Sequence, residues 1–101
     1  MAVAFVAAGS IVVSSTVASI NVVAPAVDVN DILICCLLGK DNIDHTGNAG
    51  FTELGTQTNN GTGQTCSLWW RRAIAGDSGA TFAFTKATDN NIFFAGVMVA
   101  F

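Results

Sequence analysis

Apolar residues in this chain repeatedly come as adjacent pairs inside strand-like runs: Cys35-Cys36, Leu37-Leu38, Trp69-Trp70 and Phe93-Phe94. Neighbouring residues of a β-strand point to opposite faces of its sheet. Each pair therefore puts an apolar group on both faces, and a single core covers only one of them. A chain of 101 residues buries roughly 60–68% of its unfolded surface, which leaves little to cover a second face. Charge is scarce as well, at 11% of residues against about 25% in a typical soluble domain. The pattern is that of a building block whose outer surface is covered by copies or by partners.

β-Branched and aromatic residues fill short runs, separated by clusters of Gly, Asn, Asp and Thr. Strands are expected over residues 3–8, 17–23, 32–38, 51–57, 64–73, 81–85 and 92–101, with residues 11–13 either continuing the first or forming a second. Pro25 stops the strand at 17–23. Residues 32–38 are continuously apolar, as in a strand buried on both faces. Residues 59–63 (Asn-Asn-Gly-Thr-Gly) tolerate positive φ and read as a hairpin loop. Further turns are expected at 27–31, 76–79 and 88–91, and the longest loop at 39–50. No stretch carries a convincing helical stripe. Residues 1–101 are thus expected to form one all-β domain, a single β-sandwich of about seven to nine antiparallel strands with jelly-roll or Greek-key connections.

The charge balance bears on partners. The net charge is −3, and Lys40, Arg71, Arg72 and Lys86 form no basic stripe, so no nucleic acid partner is expected. The first 27 residues lack charged side chains, but Ser10, Ser14, Ser15, Thr16, Ser19 and Asn21 interrupt the apolar run. It never reaches the length of a membrane span, and no basic segment precedes it as in a signal peptide. Three cysteines give no disulfide framework. Cys35, Cys36 and Cys66 are expected to act as small buried apolar groups in a chain made in a reducing cytoplasm.

Readable chemistry is sparse. Asp41, Asn42, Asp44 and His45 lie close together but lack the spacing of a calcium loop. They read as a polar surface loop, with His45 solvated rather than a zinc ligand. His45 is the sole histidine for any Ser-His-Asp arrangement. The seven acids, Glu53 and Asp77 included, fall at turns and strand ends rather than as an inward-facing pair. No catalysis, cofactor, metal or small-molecule substrate is expected. Trp69-Trp70 is the sharpest local feature. Counting by twos from Cys66 and Leu68 predicts Trp70 inside and Trp69 outside, with Arg71 beside Trp69. An outward Trp anchors a protein contact or stacks on a sugar, unless the domain's own loop covers it. The apolar residues 1–6 form either an edge strand or an arm that pairs with a neighbouring subunit.

Several phrases in order carry a resemblance. Pro25-Ala26-Val27-Asp28-Val29-Asn30-Asp31-Ile32-Leu33-Ile34 resembles a recurring phrase of phage and prophage structural proteins: a Pro, a short turn, an Asp and a run of aliphatics. Gly50-Phe51-Thr52-Glu53-Leu54-Gly55 resembles the next, with Phe51 where Trp is commoner. Leu68-Trp69-Trp70-Arg71-Arg72-Ala73 resembles the aromatic-aromatic-basic strand that follows. Phe82-Ala83-Phe84-Thr85 and Ala95-Gly96-Val97-Met98-Val99-Ala100 complete the order. The resemblance spans nearly the whole chain. It implies a small β-sandwich of virion proteins, and a stand-alone copy resembles a capsid decoration (cement) protein. On that reading the chain is a homotrimer seated on a major capsid protein at the virion surface, after synthesis in the host cytoplasm. Its candidate interface residues are Val3, Phe5, Trp69, Arg71 and Phe93. The alternative is a tail-fibre or receptor-binding module for host glycan, which predicts exposed aromatics and acids gathered at one end of the sandwich. No catalytic residues come with the resemblance.

Overall fold

The computed structural model describes residues 3–40, 42–48, 50–59, 63–87 and 93–101. Ten strands run through them: β1 (Ala7–Ala8), β2 (Val12–Ser14), β3 (Ser19–Val23), β4 (Ile32–Lys40), β5 (His45–Thr46), β6 (Thr52–Glu53), β7 (Thr58–Asn59), β8 (Gln64–Arg72), β9 (Thr81–Lys86) and β10 (Phe94–Ala100). They form two antiparallel sheets, as the strand spacing predicts. The larger has seven strands in the order β1-β10-β4-β8-β6, with β2 also on β10 and β7 also on β8; the smaller is β3-β9-β5. Neighbours such as β10–β4 and β3–β9 are distant in sequence, so the chain repeatedly crosses between layers.

The long central strands are the β-rich runs of the sequence. β4 pairs with β8 over nine residues, from Ile32↔Arg72 to Lys40↔Gln64. It pairs with β10 over seven, from Phe94↔Gly39 to Ala100↔Leu33. The borders of this sheet are broken. Between Ala8↔Val99 and Val12↔Gly96 the outer strand has one residue more than β10, which makes a bulge around Gly9. Gly9 is needed there, because a Cβ would run into the Val23 carbonyl oxygen. β6 and β7 similarly divide one border along β8.

Alternate residues of β4 and β10 (Leu33, Cys35, Leu37, Phe94, Met98 and Ala100) meet Ile20, Val22, Phe82 and Phe84 of the smaller sheet to form the core. The layers also crowd at Gly96, where an added Cβ would lie 2.8 Å from Val22 Cγ2 and 3.0 Å from Ile20 Cδ1 of the smaller sheet. Phe51 closes one end, edge-on to Phe82 and Phe84 with ring centroids 5.2 Å apart in each pair. The turn before β4 places Asn30 at φ 79°, a conformation Asn tolerates, and the Asp31 carboxylate accepts the Asp28 N–H at 2.9 Å.

Several expectations need correction. Residues 39–50 are not all loop: β5 lies within them and pairs with β9 through His45↔Lys86. Alternation gives no signal for a two-residue strand. Only Ala7–Ala8 of the expected first strand is paired in a ladder. The face assignment in β8 is reversed: Thr65, Ser67, Trp69 and Arg71 point inward, while Cys66, Leu68 and Trp70 point outward. Of the cysteines, only Cys35 is buried; Cys36 is intermediate and Cys66 exposed. Asp41, the centre of the 59–63 hairpin loop, the 88–91 turn, the start of the last strand at Ile92 and residues 1–2 lie outside the described residues.

Candidate functional site

The outer face of the larger sheet is built by register. Val13, Ala95, Leu38 and Cys66 form one row across β2, β10, β4 and β8. Val97, Cys36 and Leu68 form the next, and Val99, Ile34, Trp70 and Thr52 a third. Partners across a ladder share a face, so these rows are contiguous. Along the strands of this face the charged residues are Lys40 and Arg72, at opposite ends of the β4–β8 pair. The exposed apolar groups include Val13 at 55%, Leu38 at 38%, Leu68 at 37% and Trp70 at 36%. Five strands at about 4.8 Å spacing, the longest of nine residues at about 3.3 Å, fit a face within a rectangle of roughly 24 by 30 Å. Patches of this size on soluble monomers mark interaction sites.

The smaller sheet is the opposite case. Its outer positions are Ser19, Asn21, Val23, Thr46, Thr81, Ala83 and Thr85, mostly polar and suited to water. The two outer faces of one sandwich thus differ in chemistry.

The reversal in β8 has a local cause. Its inward polar groups all find partners inside the sandwich. Thr65 Oγ1 accepts the Ile43 N–H at 3.2 Å. Ser67 Oγ accepts the Trp69 indole N–H at 3.0 Å and lies 2.8 Å from His45 Nδ1. Arg71 pairs with Asp77 at 3.1 Å, and its guanidinium carbon lies 5.5 and 5.4 Å from the Phe51 and Phe82 ring centroids. Asp77 Oδ2 also accepts the Ile74 N–H at 3.0 Å. Satisfied polar groups are tolerated in a core, so the apolar half of β8 is free to face outward. The Trp69 ring lies against Gly47 so closely that a Cβ there has no room.

His45 is buried, not solvated. The Gln57 side-chain amide holds its backbone from both sides: His45 N–H donates to Oε1 at 2.7 Å, and Nε2 donates to the His45 carbonyl at 2.8 Å. The ring lies 5.0 Å from that of Phe94, and Nε2 faces Gly39 with no hydrogen-bond partner. Burial pushes its pKa down to about 4; Asp44 opposes this and Lys86 adds to it. The imidazole is therefore neutral at pH 7. The Ser67–His45 contact does not make a nucleophile site. Ser67 is 3% exposed, and its oxygen already accepts the Trp69 indole N–H. The network ties β5 to β8. Among the described residues, no three His, Cys, Asp or Glu side chains gather as a metal site.

The five candidate interface residues separate into two groups. Val3, Phe5 and Phe93 are exposed, at 85%, 62% and 39%. Trp69 and Arg71 face inward and are spent on Ser67 and Asp77, so their expected outward placement is corrected; Leu68 and Trp70 hold the outer positions instead. The missed outer residues had a signal in the sequence: Arg71 has an acid, Asp77, six residues downstream, in the turn that follows its strand. Cys36 and Cys66 also lie on the outer face, diagonal to one another. Burial, then the neighbouring Cys66 thiol, push the Cys36 pKa up. No helix of the described residues is long and apolar enough to cross a membrane. No family model, curated protein or solved structure matches this chain.

Proposed function

We propose that this chain is a structural building block, working by packing the outer face of its larger sheet against neighbouring subunits. The observation that carries the reading is the contrast between its two outer faces: apolar on the larger sheet and polar on the smaller. The rectangle of roughly 24 by 30 Å that bounds this face, about 700 Å², is close to the roughly 800 Å² each partner contributes to a standard interface. Lys40 and Arg72 stand at its ends, like the polar rim of such an interface.

Within that class the favoured role is a capsid decoration (cement) protein of a phage, stabilising a head shell through contacts between copies and with the coat protein. The virion assignment rests on the order of strand and turn phrases in the sequence; the building-block assignment rests on the face. A glycan-binding tail module draws less support. The outward Trp70 stands among Ile34, Leu68, Thr52 and Arg72, without the acids or amides that usually hold a sugar's hydroxyls beside a stacked ring.

Light scattering on a size-exclusion column tests the building-block reading. Assembly of the wild-type chain into a discrete oligomer at micromolar concentration, lost in Leu68→Asp/Trp70→Asp, is the expected result. A wild-type chain that stays monomeric up to about 1 mM overturns it.

A further inference from the structure

Residues 3–6 are uncharged and exposed, with Val3 at 85%, Phe5 at 62% and Val6 at 46%. The segment is held at its inner end, where the Val6 N–H donates to the Ala100 carbonyl at 2.8 Å. Phe5 touches Phe101 edge-on at 6.1 Å between centroids, yet most of its ring faces solvent. On the same sheet lies an open apolar groove of ≈ 300 Å³, lined by Ile11, Val13, Cys36, Leu38, Phe93 and Val97. Segment and groove match in chemistry: both are apolar and neither carries a charge.

The topology keeps them apart within one molecule. β1 is antiparallel to β10, with Ala7 opposite Ala100 and Ala8 opposite Val99. Traced back from Ala7, the chain passes Ala100 and leaves the sheet beyond Phe101. The groove lies toward the other end of β10, around Phe93 to Val97. Ala95 to Ala100 spans about 17 Å at roughly 3.3 Å per residue, and residues 3–5 head the opposite way. The segment cannot fold back without breaking the Val6 and Ala7 pairing.

We propose that the groove receives the Val3–Phe5 segment of a second copy of this chain. The contact is head-to-tail, because the donating and accepting surfaces differ. Such contacts close into rings when the rotation allows. The groove is then complete only with a neighbour's residues in it. The inference deepens the building-block reading and rests on it: it assigns one occupant to part of the face.

The test uses two variants and their mixture, each variant checked by urea unfolding to keep the wild-type midpoint at a dilution where the wild type is dissociated. Val3→Asp/Phe5→Asp removes the donor; Ile11→Asp/Val13→Asp blocks the acceptor at exposed positions. Each variant alone is expected to be monomeric where the wild type assembles, its self-association weakened at least about 100-fold, since two apolar anchors are lost. Mixed, the two are expected to form a 1:1 pair and stop there, because one intact donor meets one intact acceptor. Assembly of Val3→Asp/Phe5→Asp like the wild type overturns this inference and leaves the building-block reading standing. So does a mixture that stays monomeric, which points to symmetric face-to-face packing. A monomeric wild type overturns both.

Discussion

Protonating His45 would place a cation between the Phe94 ring and the Gly39 backbone, with no partner for Nε2. The folded protein resists this, so its His45 pKa of about 4 lies below the ordinary value near 6.5. As pH falls, the unfolded chain takes up the proton first. The stability His45 supplies is therefore complete above about pH 6.5 and is lost progressively toward pH 4, by up to about 3 kcal/mol. Urea midpoints at pH 7.5 and 4.5 check this: the wild type is expected to lose more than a His45→Gln variant, in which only carboxylates titrate over that range. Gly96 sets a second constraint at this scale. A methyl group there meets Val22, Leu37 and Ile20 within 3.0 Å, so Gly96→Ala is expected to cost about 1–3 kcal/mol by overpacking, read as a lower thermal midpoint. Neither role was legible in the sequence. Nothing near His45 announces that a two-residue strand carries it inside, and a glycine within a strand does not say which layer crowds it.

At the scale of the element, β8 is the informative strand. Its alternation is plain in the sequence, but alternation gives only two sets of residues and not which set is inside. The apolar set of Cys66, Leu68 and Trp70 is the natural choice for a core, and the choice fails because Ser67, Trp69 and Arg71 satisfy one another and their neighbours within the sandwich. Adjacent substitutions should then behave oppositely. Ser67→Ala strips partners from the Trp69 indole and His45 Nδ1 and is expected to cost about 1–3 kcal/mol in urea unfolding. Leu68→Thr, one residue on, is expected to change the stability of the isolated subunit by no more than about 0.5 kcal/mol while weakening association. Equal losses of stability at both positions would contradict the assignment of faces. Strands β3, β4, β8, β9 and β10 were legible because their runs are long and rich in β-branched or aromatic residues. β1 proved shorter than its run because its partner β10 ends at Ala100, opposite Ala7, and β6 because a turn at Gly55 interrupts pairing; β7 was not expected, since Asn59 reads as part of the hairpin loop.

For the whole molecule, the two sheets are unequal in size and opposite in outer chemistry; the doubled apolar residues of the sequence anticipated a second apolar face but neither the unequal sheets nor the polar face of the smaller one. The sequence said that two faces would be apolar; the register assigns them to the inner and outer sides of the larger sheet. Cysteine reactivity reports on the arrangement. Cys35 is buried in the core, and burial, then the neighbouring Cys36, push its pKa up to about 12, so it should react with iodoacetamide only on unfolding. Cys66 is exposed on the outer face and should react first in a dilute sample, then become at least about tenfold slower at concentrations where subunits assemble. A Cys66 rate independent of concentration would place that row of the face outside the contact.

The broken borders of the larger sheet have a bearing on aggregation. At each border the pairing is divided between two strands of two or three residues, β1 and β2 on β10 and β6 and β7 on β8. A further strand would find few neighbouring amides in line, which is how natural sheets discourage edge-to-edge growth. Edge-to-edge growth of the larger sheet is thus discouraged even though it carries a broad apolar surface, and association through that sheet is channelled into side-chain contacts, whose geometry selects a finite number of copies.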